Sequence, residues 1–277
     1  MVTRNFVALT DVFGRREYMS ITRRSFGGLM GASFGMVALR GFALSKNSNA
    51  YFTHGVASGD PLKDRVILWT RVIPGDGFDR GLDVEWQVAA DKGFAKVTSS
   101  GHFFTDASRD FTVKVDASSL EPGRQYFYRF ISKGEVSPTG VTRTLPVGEV
   151  ARFRIGIASC SNYPQGFFNA YRDMASQDLD AVVHLGDYIY EYPDGGYANK
   201  EALERLNRHV RPEHEILTLE DYRTRYGVYR TDQDLQKLHQ KHPFICVWDD
   251  HELTNNTWKA GAENHNDGEG DFFLRIR

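Results

Sequence analysis

Cysteine is nearly absent from the sequence: Cys160 and Cys246 are the only two among 277 residues. That excludes a disulfide-stapled scaffold and a cysteine-rich zinc module. There is no surplus of charge of one sign either, since 34 Lys and Arg stand against 36 Asp and Glu. A chain so balanced is not expected to take duplex nucleic acid as its main partner. A hydrophobic run long enough to span a membrane is missing too. The uncharged stretch Phe26–Leu39 has 14 residues and four glycines, and as a helix would cover about 21 Å of the roughly 30 Å hydrocarbon core. What is present is ordinary globular composition, 41% apolar and 13% aromatic, with 26 glycines marking many turns. Any metal site must lean mainly on Asp, Asn, His and Tyr.

The amino-terminal 50 residues read as an address. Thr22-Arg23-Arg24-Ser25-Phe26 precedes the Gly-rich apolar stretch, and small residues follow it around Ala43-Leu44-Ser45 and Ser48-Asn49-Ala50. Charged start, apolar middle and small-residue exit are the parts of an export signal, and the paired arginines indicate the twin-arginine type. An ordinary secretory signal or a buried helix is the competing reading. The expected location is periplasmic or secreted, with the twin-arginine machinery as a partner.

Residues 51–147 read as short strands bounded by turns: Arg65–Ile73, Leu82–Ala90, Phe111–Asp116, Arg124–Ile131 and Val141–Leu145. Without a helical period between them, they predict a fibronectin- or immunoglobulin-like β-sandwich. In Leu120-Glu121-Pro122-Gly123-Arg124-Gln125-Tyr126 the tyrosine should bond back to the corner backbone. After Pro146 the period changes. Arg152–Ser159 and Asp180–Leu185 read as buried strands around a helix within Gly166–Ser176, a βαβ unit. Asn199–Val210 and Leu219–His239 are helix-prone, Phe244–Trp248 supplies a third buried strand, and Asp271–Arg277 reads as a further helix. Residues 148–277 are therefore expected to form an α/β domain packed closely on the first, with the charged stretch Glu201–Arg211 as a solvated helix face.

Each of the three buried strands runs into polar residues: Cys160-Ser161-Asn162, Gly186-Asp187-Tyr188-Ile189-Tyr190 and Asp249-Asp250-His251-Glu252. Carboxyl ends of strands in an open α/β sheet converge on the ligand crevice. Gathering Asp, Tyr and thiolate there is stable when cations neutralise them, so a metal centre is the simplest resolution.

These blocks resemble a known family. Val183-His184-Leu185-Gly186-Asp187-Tyr188-Ile189-Tyr190 matches the Gly-Asp-x-x-Tyr signature of calcineurin-like metallophosphatases, and Trp248-Asp249-Asp250-His251-Glu252 resembles their Gly-Asn-His-Asp/Glu block. The set Ala158-Ser159-Cys160, Gly186–Glu191, Trp248–Glu252 and Asn255-Asn256 is similar to the alkaline phosphatase D (PhoD-like) family, as are Gly55–Pro61 and Leu68-Trp69-Thr70-Arg71. The resemblance implies a four-layer α-β-β-α metallophosphatase domain, incomplete here, that hydrolyses phosphate mono- or diesters to scavenge phosphate. It implies Cys160 and Tyr190 as ligands to Fe(3+), Asp187 as the bridging carboxylate, and Asp250, with Asn255 as a further candidate, toward Ca(2+). Two cations would polarise the phosphoryl oxygens and acidify a bound water for in-line attack. His251 would orient phosphate or protonate the leaving group, or would only brace the site.

Blander readings stand beside these. Cys160 is alternatively a buried hydrophobe or bonded to Cys246, Asp249 and Asp250 could exchange roles, and Asn255 and Asn256 could only shape the loop. His184, inside a buried strand, reads as a core histidine. A Cys-x5-Arg phosphatase is disfavoured because position 166 is glycine. Because family members continue well beyond the third block with further ligands, the chain is expected to be an amino-terminal portion with little turnover by itself. Two other classes remain open: a non-catalytic exported binding protein, and a thiol hydrolase pairing Cys160 with His184 or His251.

Overall fold

The structure, a computed structural model, describes residues 8–11, 50–74 and 81–275. Of residues 1–50 only 8–11 and 50 are described; the arginine pair and the stretch Phe26–Leu39, which carry the export-signal expectation, lie outside the described residues. Among the described residues no helix is long and apolar enough to cross a membrane.

In chain order the strands are β1 (Ala8–Asp11), β2 (Val56–Gly59), β3 (Val66–Arg71), β4 (Leu82–Ala89), β5 (Val97–Thr105), β6 (Thr112–Ala117), β7 (Gln125–Ser132), β8 (Glu135–Val136), β9 (Gly140–Arg143), β10 (Arg154–Ala158), β11 (Ala181–His184) and β12 (Phe244–Cys246). The helices are α1 (Asn169–Met174), α2 (Lys200–Leu206), α3 (Leu219–Tyr229), α4 (Gln233–Lys241) and α5 (Phe272–Arg275). All five strands expected in the first module and all three in the second are present, with ends moved by a few residues. β1, β2, β5 and β8 are additions. β5 is Ser-rich and mostly exposed, so it carries no apolar alternation to announce it.

One sheet has the order β1-β10-β11-β12-β2-β3-β6, and β10, β11 and β12 are parallel in it. The second sheet has the order β5-β4-β7-β8, with β9 also on β7. Alternation explains how the two share a core. Val66, Leu68 and Thr70 of β3 point inward, as do Tyr126, Tyr128 and Phe130 of β7. Thr70 apart, they form one apolar cluster with Val84, Val88, Val113 and Val115, each large side chain stabilising the fold by roughly 1.5–3 kcal/mol. The expected tyrosine corner is there: Tyr126 is buried and its hydroxyl accepts the Glu121 N–H at 2.8 Å.

The first sheet runs across the expected boundary at residue 147. β12 pairs in parallel with β2 at Phe244 and Gly59, and the Asp60 N–H bonds the Phe244 carbonyl at 2.9 Å. A second core of Phe168, Tyr171, Met174, Val182, Leu235 and Leu238 packs α1 and α4 against the parallel strands. The helix-prone stretch Leu219–His239 is two helices. Asp232 ends the first by capping the second, accepting the Asp234 and Leu235 N–H groups at 2.9 and 3.0 Å.

The Glu201–Arg211 expectation needs a correction. Glu201, Glu204 and Arg205 are exposed, but Asn207 turns left-handed at φ 51° and the chain dives inward. Arg208 is buried, pairs with Asp232 at 2.7 Å and stacks 3.4 Å over the Tyr163 ring. A charge at that depth is tolerated because Asp232 neutralises it.

Candidate metal centre

The three strand-end blocks meet as the parallel sheet requires. Beyond β10 and β11 the chains stay paired, the Cys160 N–H bonding the Gly186 carbonyl at 3.1 Å and the Ser161 N–H the Asp187 carbonyl at 2.8 Å. Gly186 lets the third block close on the second. Its φ is +100°, and a Cβ there would lie 2.4 Å from the Asp249 Cβ. Cys160 and Asp187 themselves adopt left-handed backbone, at φ 59° and 55°. For side chains that is a strained conformation, costing on the order of 1 kcal/mol, which persists only where the surroundings enforce it.

Asp187 is the centre of the cluster. Its Oδ2 accepts the Cys160 thiol at 3.4 Å and the Tyr190 hydroxyl at 3.3 Å. Its buried Oδ1 has no hydrogen-bond partner. Oxygens of Asp187 and Asp250 and a ring nitrogen of His251 lie within 4.8 Å of one another, forming a possible cation site. Five of the six expected residues, Cys160, Asp187, Tyr190, Asp250 and His251, are thus gathered. Asn255 is directed elsewhere: its N–H bonds Glu191 at 2.8 Å and its side-chain amide bonds Glu263 at 3.2 Å. Asp249 supplies a backbone N–H to Glu252, whereas the Asp250 carboxylate faces Asp187 and also accepts the Asn256 N–H.

The electrostatics favour a cation. Burial raises the Asp187 carboxyl, with the charges of Asp250 and Asp249 adding to it against His251. Burial and the Asp187 charge push the Cys160 thiol up, and burial, Asp187 and Cys160 push the Tyr190 phenol far up. Besides burial, the Asp187 charge thus disfavours ionisation of both Cys160 and Tyr190. A cation in their midst reverses all three shifts together, which is how thiol, phenol and carboxylate donors fit a metal. The same shifts speak against a thiol hydrolase, whose nucleophile needs a lowered pKa. Cys160 and Cys246 are free thiols, not a disulfide. His184 is fully buried, with Nε2 2.8 Å from the Ser161 hydroxyl and 3.1 Å from that of Tyr171. It packs beneath the Cys160 turn, as a core histidine does.

Two buried carboxylates that the sequence reading left without a role support the cluster. Glu191 accepts from His251 Nδ1 at 2.7 Å, the Asn255 N–H at 2.8 Å and the Asn264 amide at 3.0 Å. Burial presses its carboxyl toward neutrality, but the His251 bond and charge outweigh that and hold it below its ordinary value. His251, opposed by burial, is raised by the same pairing, and its Nε2 remains for the site. Glu252 accepts the N–H groups of Asp187 at 3.0 Å, Tyr188 at 2.6 Å and Asp249 at 2.8 Å, tying the second block to the third. Arg225, also buried, donates to the carbonyls of Tyr190, Tyr192 and Arg211 and so holds the segment after Asp187. The only sequence signal for the two acids is their place at the ends of the Tyr-Ile-Tyr-Glu and Asp-Asp-His-Glu blocks; Arg225 has none. Shape would have pointed elsewhere, since clefts of about 360 and 370 Å³ lie beside β9 and Pro243 and beside α2.

Comparisons with known proteins agree with this geometry. Residues 155–277 match the family described as PhoD-like phosphatase, and residues 38–146 match the PhoD-like phosphatase N-terminal domain. Alkaline phosphatase D of Bacillus subtilis (strain 168) is 39% identical over 259 residues, covering 89% of this chain and 43% of that protein. A solved structure of PhoD superposes with a TM-score of 0.75 at 41% identity, over 81% of this chain and 43% of that one. The chain thus spans less than half the length of these relatives. Two adjoining family matches, the ordered Cys160, Asp187 and Asp250 blocks and the superposition lead to one statement: the chain belongs to the PhoD-like phosphatase family.

Proposed function

We propose that this protein contributes the amino-terminal part of a metal-dependent phosphoesterase centre acting on phosphate mono- or diesters. The observation that carries the reading is Asp187, a buried carboxylate with an orphaned oxygen, ringed by Cys160, Tyr190, Asp250 and His251. Cys160, Tyr190 and Asp187 would hold an iron(III), because their thiolate, phenolate and carboxylate forms are anionic donors that suit a trivalent cation. Asp187 and Asp250 would hold a calcium through carboxylate oxygens; Asn255 would join only by leaving Glu263. When bound, the metals would neutralise charge on the phosphoryl group and lower the pKa of a water so that hydroxide is available for attack. The chain's own groups do the rest. His251, fixed at Nδ1 by Glu191, leaves Nε2 to hand a proton to the departing ester oxygen. Glu252 and Arg225 keep the Asp187 loop in register with the Asp249–Asp250 loop.

Around this centre we assign residues 51–147 to a fibronectin-like sandwich and residues 1–50 to a twin-arginine export signal. Export would place the reaction in the periplasm or outside the cell, where it would release phosphate for uptake. The test is metal binding by the purified protein, together with the slow hydrolysis of p-nitrophenyl phosphate expected of it. Activity lost on chelation and restored by added metal supports the proposal, as does a violet tyrosinate–iron(III) absorption. Hydrolysis that survives chelation, or is stopped by iodoacetamide while chelators spare it, refutes it.

A further inference from the structure

Beside the carboxylate cluster lies an aromatic surface that the phosphoryl chemistry does not use. Tyr190 is buried, with its ring 4.3 Å from His251 and its hydroxyl at Asp187. The Tyr197 ring centre lies 5.7 Å from that of Tyr190 and 5.4 Å from that of Tyr192, and Tyr192 lies 5.5 Å from His251. Whereas Tyr190 is closed in, Tyr197 is 42% exposed. Aromatic rings therefore lead from the proposed metal ligand out to solvent, the outermost with open surface.

This edge is anchored rather than loose. The Tyr197 carbonyl accepts the side-chain amides of Asn162 at 2.9 Å and Gln165 at 3.3 Å, and the Asn199 N–H bonds the Pro164 carbonyl at 3.0 Å. These partners belong to the segment that follows Cys160. At the other end the Asp194 N–H bonds the Glu213 carbonyl at 2.9 Å, and Arg225 holds the Tyr192 carbonyl at 2.9 Å. A surface tied at both ends to the elements that carry the cluster is positioned in advance of any ligand, which lowers the cost of stacking on it.

We propose that Tyr197, backed by Tyr192, is the subsite for the organic half of the ester and selects a planar aromatic group joined to phosphorus through one oxygen. The inference rests on the phosphoesterase reading. With phosphate seated among Asp187, Tyr190 and His251, the group on the ester oxygen meets carboxylates on one side and these rings on the other. The carboxylates repel anionic substituents and offer an apolar group nothing. The ring face offers offset or edge-on stacking.

The test uses non-hydrolysable phosphonates on the purified, metal-loaded protein. In benzylphosphonate a methylene stands in for the aryl ester oxygen; ethylphosphonate has the same linkage without the ring. Titration calorimetry should give roughly fivefold tighter binding of benzylphosphonate, the scale of one aromatic contact. Tyr197→Ala should erase that preference while keeping the ethylphosphonate affinity, and Tyr197→Phe should retain the preference. Equal or absent binding of the two phosphonates by the unaltered protein, a preference that persists in Tyr197→Ala, or an equal loss of both ligands overturns the subsite. A protein that hydrolyses no phosphate ester yet loses the benzyl preference in Tyr197→Ala would refute the hydrolytic reading and leave the subsite standing. Active hydrolysis without any preference would do the reverse.

Discussion

Glu252 offers the sharpest test of how the cluster is held. Its carboxylate takes three backbone N–H groups, two at Oε2 from Asp187 and Asp249 and one at Oε1 from Tyr188. In Glu252→Gln the best amide orientation keeps the carbonyl oxygen where Oε2 was and turns NH2 toward the Tyr188 N–H. One buried N–H then faces a donor, which costs about 1–3 kcal/mol. The loss is offset in part, because burial already holds the Glu252 carboxyl above its ordinary value. A net destabilisation of about 2 kcal/mol is expected, read as a urea midpoint lowered by roughly 1 M. The larger effect falls on the site. Asp187 sits in strained left-handed backbone next to the altered bond, so its carboxylate shifts and metal affinity drops about 10- to 100-fold, as for other groups supporting metal ligands. Urea unfolding and metal titration of the same preparation separate the two effects. Wild-type metal affinity in a Glu252→Gln protein that is destabilised as stated would refute the claim that Glu252 positions Asp187.

Glu191→Gln places an amide nitrogen among the donors from His251, Asn255 and Asn264, and turnover of a p-nitrophenyl ester should fall about 10- to 100-fold; unchanged turnover would remove Glu191 from the account. Acid should destabilise the fold through His54 and His184. Burial lowers both to about 4 from 6.5, with Arg71 and Arg230 adding to the shift at His54. Between pH 6.5 and 4 the unfolded chain binds the protons that the folded one refuses. Stability is therefore full above pH 6.5, and about 2 kcal/mol per histidine is gone at pH 5; a urea midpoint equal at pH 7 and pH 5 would contradict this. Tyr126→Phe removes the acceptor of the Glu121 N–H and should cost about 1–2 kcal/mol in thermal or urea unfolding without altering metal binding.

Much of this architecture could be read from residue patterns because burial imposes a period. The alternation of β3, β6 and β7 and the apolar runs of β10, β11 and β12 are direct consequences of which faces are covered. β5 escaped because its exposed Ser-Ser-Gly-His stretch has no apolar face to reveal. The break between α3 and α4 was legible only as Asp232, a good cap inside a charged run that otherwise favours helix. At the site, residues that would touch a metal stand out because their types are costly to cluster without one. Residues that act through backbone groups do not: Glu252 and Arg225 bond main-chain N–H and carbonyl groups, which any sequence provides. Arg208 looked like part of a solvated face because its partner, Asp232, is 24 residues away.

The central claim is that Asp187 gathers a cation among Cys160, Tyr190, Asp250 and His251. Elemental metal analysis of the purified protein and of Asp187→Asn, after identical dialysis, tests it most directly. The account predicts tightly held metal in the unaltered protein and its loss in Asp187→Asn with the fold retained. Equal metal in both, or a metal-free unaltered protein that hydrolyses phosphate esters at full rate, would contradict it.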